Sequence, residues 1–140
     1  MIKAHQTYLV EDLDQLASVA LKLAKDIEHP LILFIGELGA GKTTIIKELI
    51  KLDGSEDSGS SPSFSIINEY KTGSCKSFHL DLYRLNTAEE AFQLGIEEII
   101  YSGDKCYVEW PQIIMDYIDE PFHIIRIELI ENNKRKISIV

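Results

Sequence analysis

At 140 residues, with 45% hydrophobic and 26% charged residues, the chain has the size and balance of one ordinary globular domain with a substantial core. Its 14 basic and 23 acidic residues leave a net charge of −9, so it lacks the basic footprint of a protein that grips RNA or DNA by itself. No apolar run approaches the roughly 20 residues that cross a bilayer, and residues 1–6 carry one lysine and no leader-like apolar segment; the cytoplasm is the expected compartment.

In chain order, residues 7–10 read as a short opening strand. Asp12 is placed to cap a helix whose apolar positions Leu13, Leu16, Ala17, Ala20, Leu23, Ala24 and Ile27 fall on one face. Pro30 ends the connection, and Leu31, Ile32, Leu33, Phe34 and Ile35 form a buried strand that runs into Gly36-Glu37-Leu38-Gly39-Ala40-Gly41-Lys42-Thr43. A helix from Thr44 onward follows, and then residues 53–62, rich in Gly, Ser and acid, break all periodicity and predict a mobile polar loop. Residues 64–71 and 75–82 read as two strands joined by Thr72-Gly73-Ser74, a hairpin. In the second of them Phe78, Leu80 and Leu82 alternate with His79 and Asp81, so the last two share a face. Thr87-Ala88-Glu89-Glu90 matches a capping box and starts a short helix ended by Gly95, with another helical turn to Tyr101. Residues 105–109 are a further buried strand, residues 111–118 a short helix, and residues 122–130 and 135–140 two strands joined by a turn at 131–134. Cys75 and Cys106 lie in apolar strand-like runs without C-x-x-C spacing, so both are expected as buried, reduced thiols. Hairpin-linked strands beside only two substantial helices fit a purely parallel sheet poorly. The expected fold is a single P-loop NTPase-like α/β domain over residues 1–140, with a mixed parallel/antiparallel central sheet flanked by helices.

The stretch from Gly36 to Thr43 has every fixed position of the P-loop pattern G-x-x-x-x-G-K-[ST], which arises by chance on the order of once in two hundred chains of this length at ordinary residue frequencies. It also follows a strand and opens a helix, as the motif requires. Glycines let consecutive N–H groups turn inward around an anion, above the positive end of the helix dipole. Lys42 adds a charge that reaches the β- and γ-phosphates, and the Thr43 hydroxyl is placed to ligate Mg²⁺. The rest of such a site needs an acid at the end of a buried strand. Asp81 and Glu109 are the two candidates. Ser61-Pro62-Ser63-Phe64, at the exit of the polar loop, reads either as a plain turn or as a switch whose hydroxyls face the metal. His79 and Asp81 lack a third partner at metal-ligand spacing, which leaves His79 a structural role.

The ordered set of Gly36 to Thr44, Ser61-Pro62-Ser63-Phe64, Phe78-His79-Leu80-Asp81-Leu82-Tyr83-Arg84-Leu85 and Val108-Glu109-Trp110 resembles the bacterial TsaE (YjeE) family and spans nearly the whole chain. The resemblance implies a small P-loop ATPase that works with TsaD-like and TsaB-like proteins, and meets tRNA only indirectly, through that complex. Such a complex transfers threonylcarbamoyl from its adenylate to the adenosine beside the anticodon. The resemblance further implies that ATP is held by Glu37, Leu38, Gly39, Ala40, Gly41, Lys42, Thr43 and Thr44. Mg²⁺ is held by Thr43 and Glu109. Lys42, Asp81 and Glu109 are the implied catalytic groups, Asp81 ordering water or the metal shell. Trp110 lies beside the nucleotide or packs in the core, and Arg135 matches a basic residue near the nucleotide. The family's usual Ser-Pro-Thr is Ser61-Pro62-Ser63 here, which keeps the hydroxyl and loses a methyl.

Three other readings of the P-loop remain open at this stage. A small-molecule or nucleotide kinase needs cations around the migrating phosphoryl group, and the chain has three arginines, Arg84, Arg126 and Arg135. A GTPase is disfavoured because no Asn-Lys-x-Asp occurs. A nucleotide-sensing scaffold would bind ATP and hydrolyse almost none of it.

Overall fold

The computed structural model describes residues 6–55, 65–131 and 134–140. Within them seven strands form one sheet: β1 (Gln6–Val10), β2 (Leu31–Gly36), β3 (Ile67–Thr72), β4 (Cys75–Asp81), β5 (Lys105–Glu109), β6 (His123–Leu129) and β7 (Arg135–Ile139). The helices are α1 (Leu16–Asp26), α2 (Lys42–Leu52), α3 (Ala88–Gln93) and α4 (Ile96–Ile100). Strand order is β1-β7-β6-β2-β5-β4-β3. The four central strands β6, β2, β5 and β4 run parallel, and antiparallel pairs close both edges, β3 on β4 at one side and β7 on β6 with β1 on β7 at the other. This is the mixed α/β sheet that the hairpin-linked strands predict.

Alternation along β2 shows how the sheet divides its two cores. Ile32 and Phe34 point to the layer formed by α1 and α2, where they meet Leu16, Leu23, Ile45 and Leu49, while Leu31 and Leu33 point to the opposite layer, with Leu80, Ala91, Ile96 and Ile114. Because both faces are covered, β2 and β5 are apolar on both sides, as parallel strands with helices on both faces must be. Phe78, Leu80 and Leu82 pack in the second layer. Ser77, His79 and Asp81 therefore face α2.

Several local expectations change. Asp12 does not cap an α-helix: its Oδ1 accepts from the Asp14 N–H at 2.9 Å and opens a 3₁₀ turn at Leu13–Gln15, so α1 begins only at Leu16. Residues 111–118 form two 3₁₀ turns, Pro111–Ile113 and Met115–Tyr117, in place of one helix. Cys106 is buried in β5, but Cys75 is exposed, because β4 starts there beside the hairpin turn at Gly73, before the strand enters the core. The capping box forms with a shifted partner. Thr87 Oγ1 accepts from the Glu90 N–H, while the Glu90 carboxylate accepts from the Asn86 N–H rather than that of Thr87. Asp53, at the start of the expected loop, is held by hydrogen bonds. It ends α2, and its Oδ2 accepts from Tyr107 at 2.7 Å and Ser77 at 3.0 Å. Most of the expected loop and the whole of Ser61-Pro62-Ser63-Phe64 lie outside the described residues.

Candidate functional site

β2 delivers the chain to the P-loop at its carboxyl end, between the ends of β5 and β6. Gly36 is needed for close approach: a Cβ there would stand 2.8 Å from the Ile127 carbonyl oxygen of β6. Gly41 sits at φ 108°, left-handed, immediately before α2. A residue with a side chain is strained there, so glycine is what lets the loop turn into the helix. The first-turn N–H groups of α2 have no partners within the helix and face the loop, and the 11-residue helix adds its dipole.

Lys42 is 4% exposed. Its Nζ donates to the Gly36 carbonyl and lies 3.6 Å from the centre of the Trp110 ring. Burial pulls its pKa below the ordinary lysine value, while the nearby carboxylates Glu109 and Asp81 pull it up. Trp110 is half-buried, packs its ring 4.9 Å from that of exposed Tyr83 at a tilt of 48°, and takes a left-handed backbone (φ 56°, ψ 54°) between β5 and Pro111. A bulky residue in that region stores backbone strain, of the kind found where a site needs a side chain re-aimed.

At the end of β5, Glu109 is buried with only 3% of its surface exposed. The Thr43 hydroxyl lies 3.0 Å from both of its carboxylate oxygens and donates to them, and His79 Nε2 lies 2.5 Å from Oε2. Asp81 and Glu109 are register partners across β4 and β5. Asp81 Oδ1 also accepts from the Tyr83 N–H at 3.1 Å, turning the chain past the site.

One cleft of about 340 Å³ is lined by Leu38, Gly39, Gly41, Lys42, Thr43, Thr44, Asp81, Tyr83, Glu109, Trp110 and Arg135. Sequence reasoning named all of these except Tyr83. Glu37 lies instead on a neighbouring cleft of about 510 Å³, with Gln112, Arg126, Ile127, Glu128 and Leu129, and Trp110 lines both. Ala40 is buried beneath the loop. Arg135, 9% exposed, donates from Nε to the Ala40 carbonyl at 2.7 Å and contacts the Gly39 carbonyl at 3.4 Å. It thus holds two P-loop carbonyls, while the Ala40 N–H is taken by the Glu37 carbonyl at 3.1 Å.

Chemically, the cleft joins a helix N-terminus, an ammonium, a hydroxyl and two carboxylates. That set suits a polyphosphate with a hard cation. Mg²⁺ takes one or two protein oxygens and fills its shell from phosphates and water, which matches Thr43 with Glu109. No group of three or more His, Cys, Asp or Glu that could hold a metal by themselves occurs among the described residues.

Fold and site together define a P-loop NTPase-like α/β protein. A sequence model of the TsaE family, described as threonylcarbamoyl adenosine biosynthesis protein TsaE, matches residues 10–137, and the chain belongs to that family. It is 36% identical over 129 residues to the tRNA threonylcarbamoyladenosine biosynthesis protein TsaE of Rickettsia conorii, covering 91% of this chain and 73% of that one. To the protein of the same name in Treponema pallidum it is 29% identical, covering 80% and 82%. The crystal structure of YdiB from Bacillus subtilis superposes with a TM-score of 0.73 at 25% identity, over 99% of this chain and 86% of that one.

Proposed function

We propose that this chain is an ATP-binding and ATP-hydrolysing subunit required for threonylcarbamoyladenosine modification of tRNA beside the anticodon, acting in the cytoplasm as a nucleotide-dependent switch on a TsaD-like and TsaB-like complex. The observation that carries the reading is the hydrogen bond from Thr43, in the P-loop, to the buried carboxylate of Glu109, across the cleft that also holds Lys42. Family membership supplies the pathway.

In this reading the α2 N-terminus and the loop N–H groups bind the phosphates, and Lys42 swings part of its donor capacity from Gly36 to the β- and γ-phosphates. Bound Mg²⁺ would neutralise charge building on the phosphate oxygens. Thr43 would offer its hydroxyl oxygen to that ion while still donating its hydrogen bond to Glu109. Asp81, at the mouth, orients a water. Trp110, over Lys42, keeps bulk water from the ammonium, and its neighbour Tyr83 exposes 54% of its surface at the rim. A net charge of −9 agrees with the tRNA being held by the partners.

A small-molecule or nucleotide kinase is the second reading, and the cleft of about 510 Å³ behind Trp110 is the observation that favours it, since an acceptor would fit there. Incubation with ATP and Mg²⁺, alone and with a panel of hydroxyl and phosphate acceptors, separates the two. Release of inorganic phosphate without acceptor supports the ATPase; a phosphorylated acceptor formed in its place overturns it.

A further inference from the structure

We infer that His79 is a positioning residue for the metal site: it fixes the rotamer of Glu109 so that the imidazole takes Oε2 and leaves Oε1 to the cleft, with the Thr43 hydroxyl facing both oxygens. The inference rests on the Mg²⁺-nucleotide reading above and names the group that organises it.

The argument starts from burial. Glu109 has 3% and His79 5% of its surface exposed, so water does not solvate the carboxylate from the β4 side. A buried carboxylate is costly unless its lone pairs find donors. Thr43 has one hydroxyl hydrogen to give, and it faces both oxygens equally at 3.0 Å, so by itself it does not choose between them. His79 breaks that symmetry. Its Nε2 stands 2.5 Å from Oε2 alone, and since a carboxylate only accepts, Nε2 carries the hydrogen.

The backbone keeps this contact in place. β4 and β5 pair in parallel with His79 opposite Tyr107 and Asp81 opposite Glu109, so both His79 and Asp81 project on the α2 side of the sheet. Two residues before His79, Ser77 is tied to Asp53 at the end of α2; two residues before Glu109, Tyr107 is tied to the same oxygen. His79 and Glu109 therefore stand on strands that are both clamped to the helix carrying Thr43. Outer partners that orient metal-binding carboxylates typically contribute about 10–100-fold to metal affinity.

Three variants test this. Gln places its amide nitrogen near the position of imidazole Nε2, Asn is polar but too short, and Leu fills the space without a donor. ATP binding is measured by calorimetry across a Mg²⁺ titration and again with chelator. For His79→Leu and His79→Asn we expect the half-saturating Mg²⁺ to rise about tenfold or more, while ATP affinity under chelator stays within about twofold. His79→Gln should recover to within about threefold of the wild type. The Asn and Gln pair decides the case if His79→Leu does not fold. An unchanged Mg²⁺ requirement in His79→Asn, or equal effects from Asn and Gln, would overturn the positioning role. Wild-type binding that ignores Mg²⁺ would instead bring down the underlying metal reading, and this inference with it.

Discussion

At the scale of single residues, the proposed function puts the chemistry on Lys42 and Glu109, and each makes a different demand. Lys42→Ala removes a charge-assisted phosphate contact worth about 1.5–3 kcal/mol. ATP at about one hundred times its wild-type Kd should stabilise the wild type by about 2.7 kcal/mol and the variant by only about 0.3–1.3 kcal/mol, read as the shift in thermal unfolding. A full shift in the variant contradicts the role of Lys42. Glu109→Ala should lower Mg²⁺-dependent hydrolysis at least about tenfold more than it lowers ATP affinity, and equal losses of both would count against a metal role. The P-loop residues and Glu109 were readable because a motif and a strand end mark them. Their companions were not. Nothing in the sequence links His79 to Glu109, 30 residues apart, until the parallel register of β4 and β5 is known. Arg135 was expected near the nucleotide, and it lines the cleft, but its hold on the Ala40 carbonyl depends on β7 turning back beneath the loop.

At the scale of elements, the amino ends of the central parallel strands are held by polar ties. Asp53, at the end of α2, receives the Tyr107 hydroxyl and the Ser77 hydroxyl, and Lys105 lies 3.8 Å from it. Tyr107→Phe should cost about 1–3 kcal/mol in denaturant unfolding, since it strips a donor from a partly buried carboxylate; a change under about 0.3 kcal/mol would show that the tie contributes nothing. At the same end, at the start of β6, His123 Nε2 accepts from the N–H groups of Glu28 and His29, so Nδ1 donates to the Val140 carbonyl. Burial pushes its pKa below the ordinary value of 6.5; nearby His29 and Lys105 also lower it, against the raising effects of the Val140 carbonyl and Glu28. The unfolded chain thus takes up the proton first, and stability contributed by this group is complete above about pH 7.5 and lost as pH falls below about 6.5. Thermal unfolding between pH 7.5 and 5.5 should show a smaller loss in His123→Gln than in the wild type; identical slopes would contradict it. Strand β5 was legible to the residue, because the apolar Cys106-Tyr107-Val108 is bracketed by the charged Lys105 and Glu109. Asp12 misled because Asp-x-Asp can close a local side-chain turn as readily as it caps a helix.

For the whole molecule, the mixed sheet and its two helical layers followed from hairpin signals beside a strand–loop–helix motif, whereas strand order did not, since β6 lies between β2 and β7 although three strands separate it from β2 in the chain. The net charge of −9 and the exposed rim of Leu38 and Tyr83 around the cleft agree with the proposed role, in which partners read this subunit and hold the RNA. The most direct measurement is ATP hydrolysis by this protein alone, with its cognate TsaD-like and TsaB-like proteins, and by those proteins without it. The account predicts slow turnover alone and a rise of about tenfold or more confined to the mixture, abolished by Lys42→Ala in this chain. Turnover that is the same with and without the partners would contradict the switch.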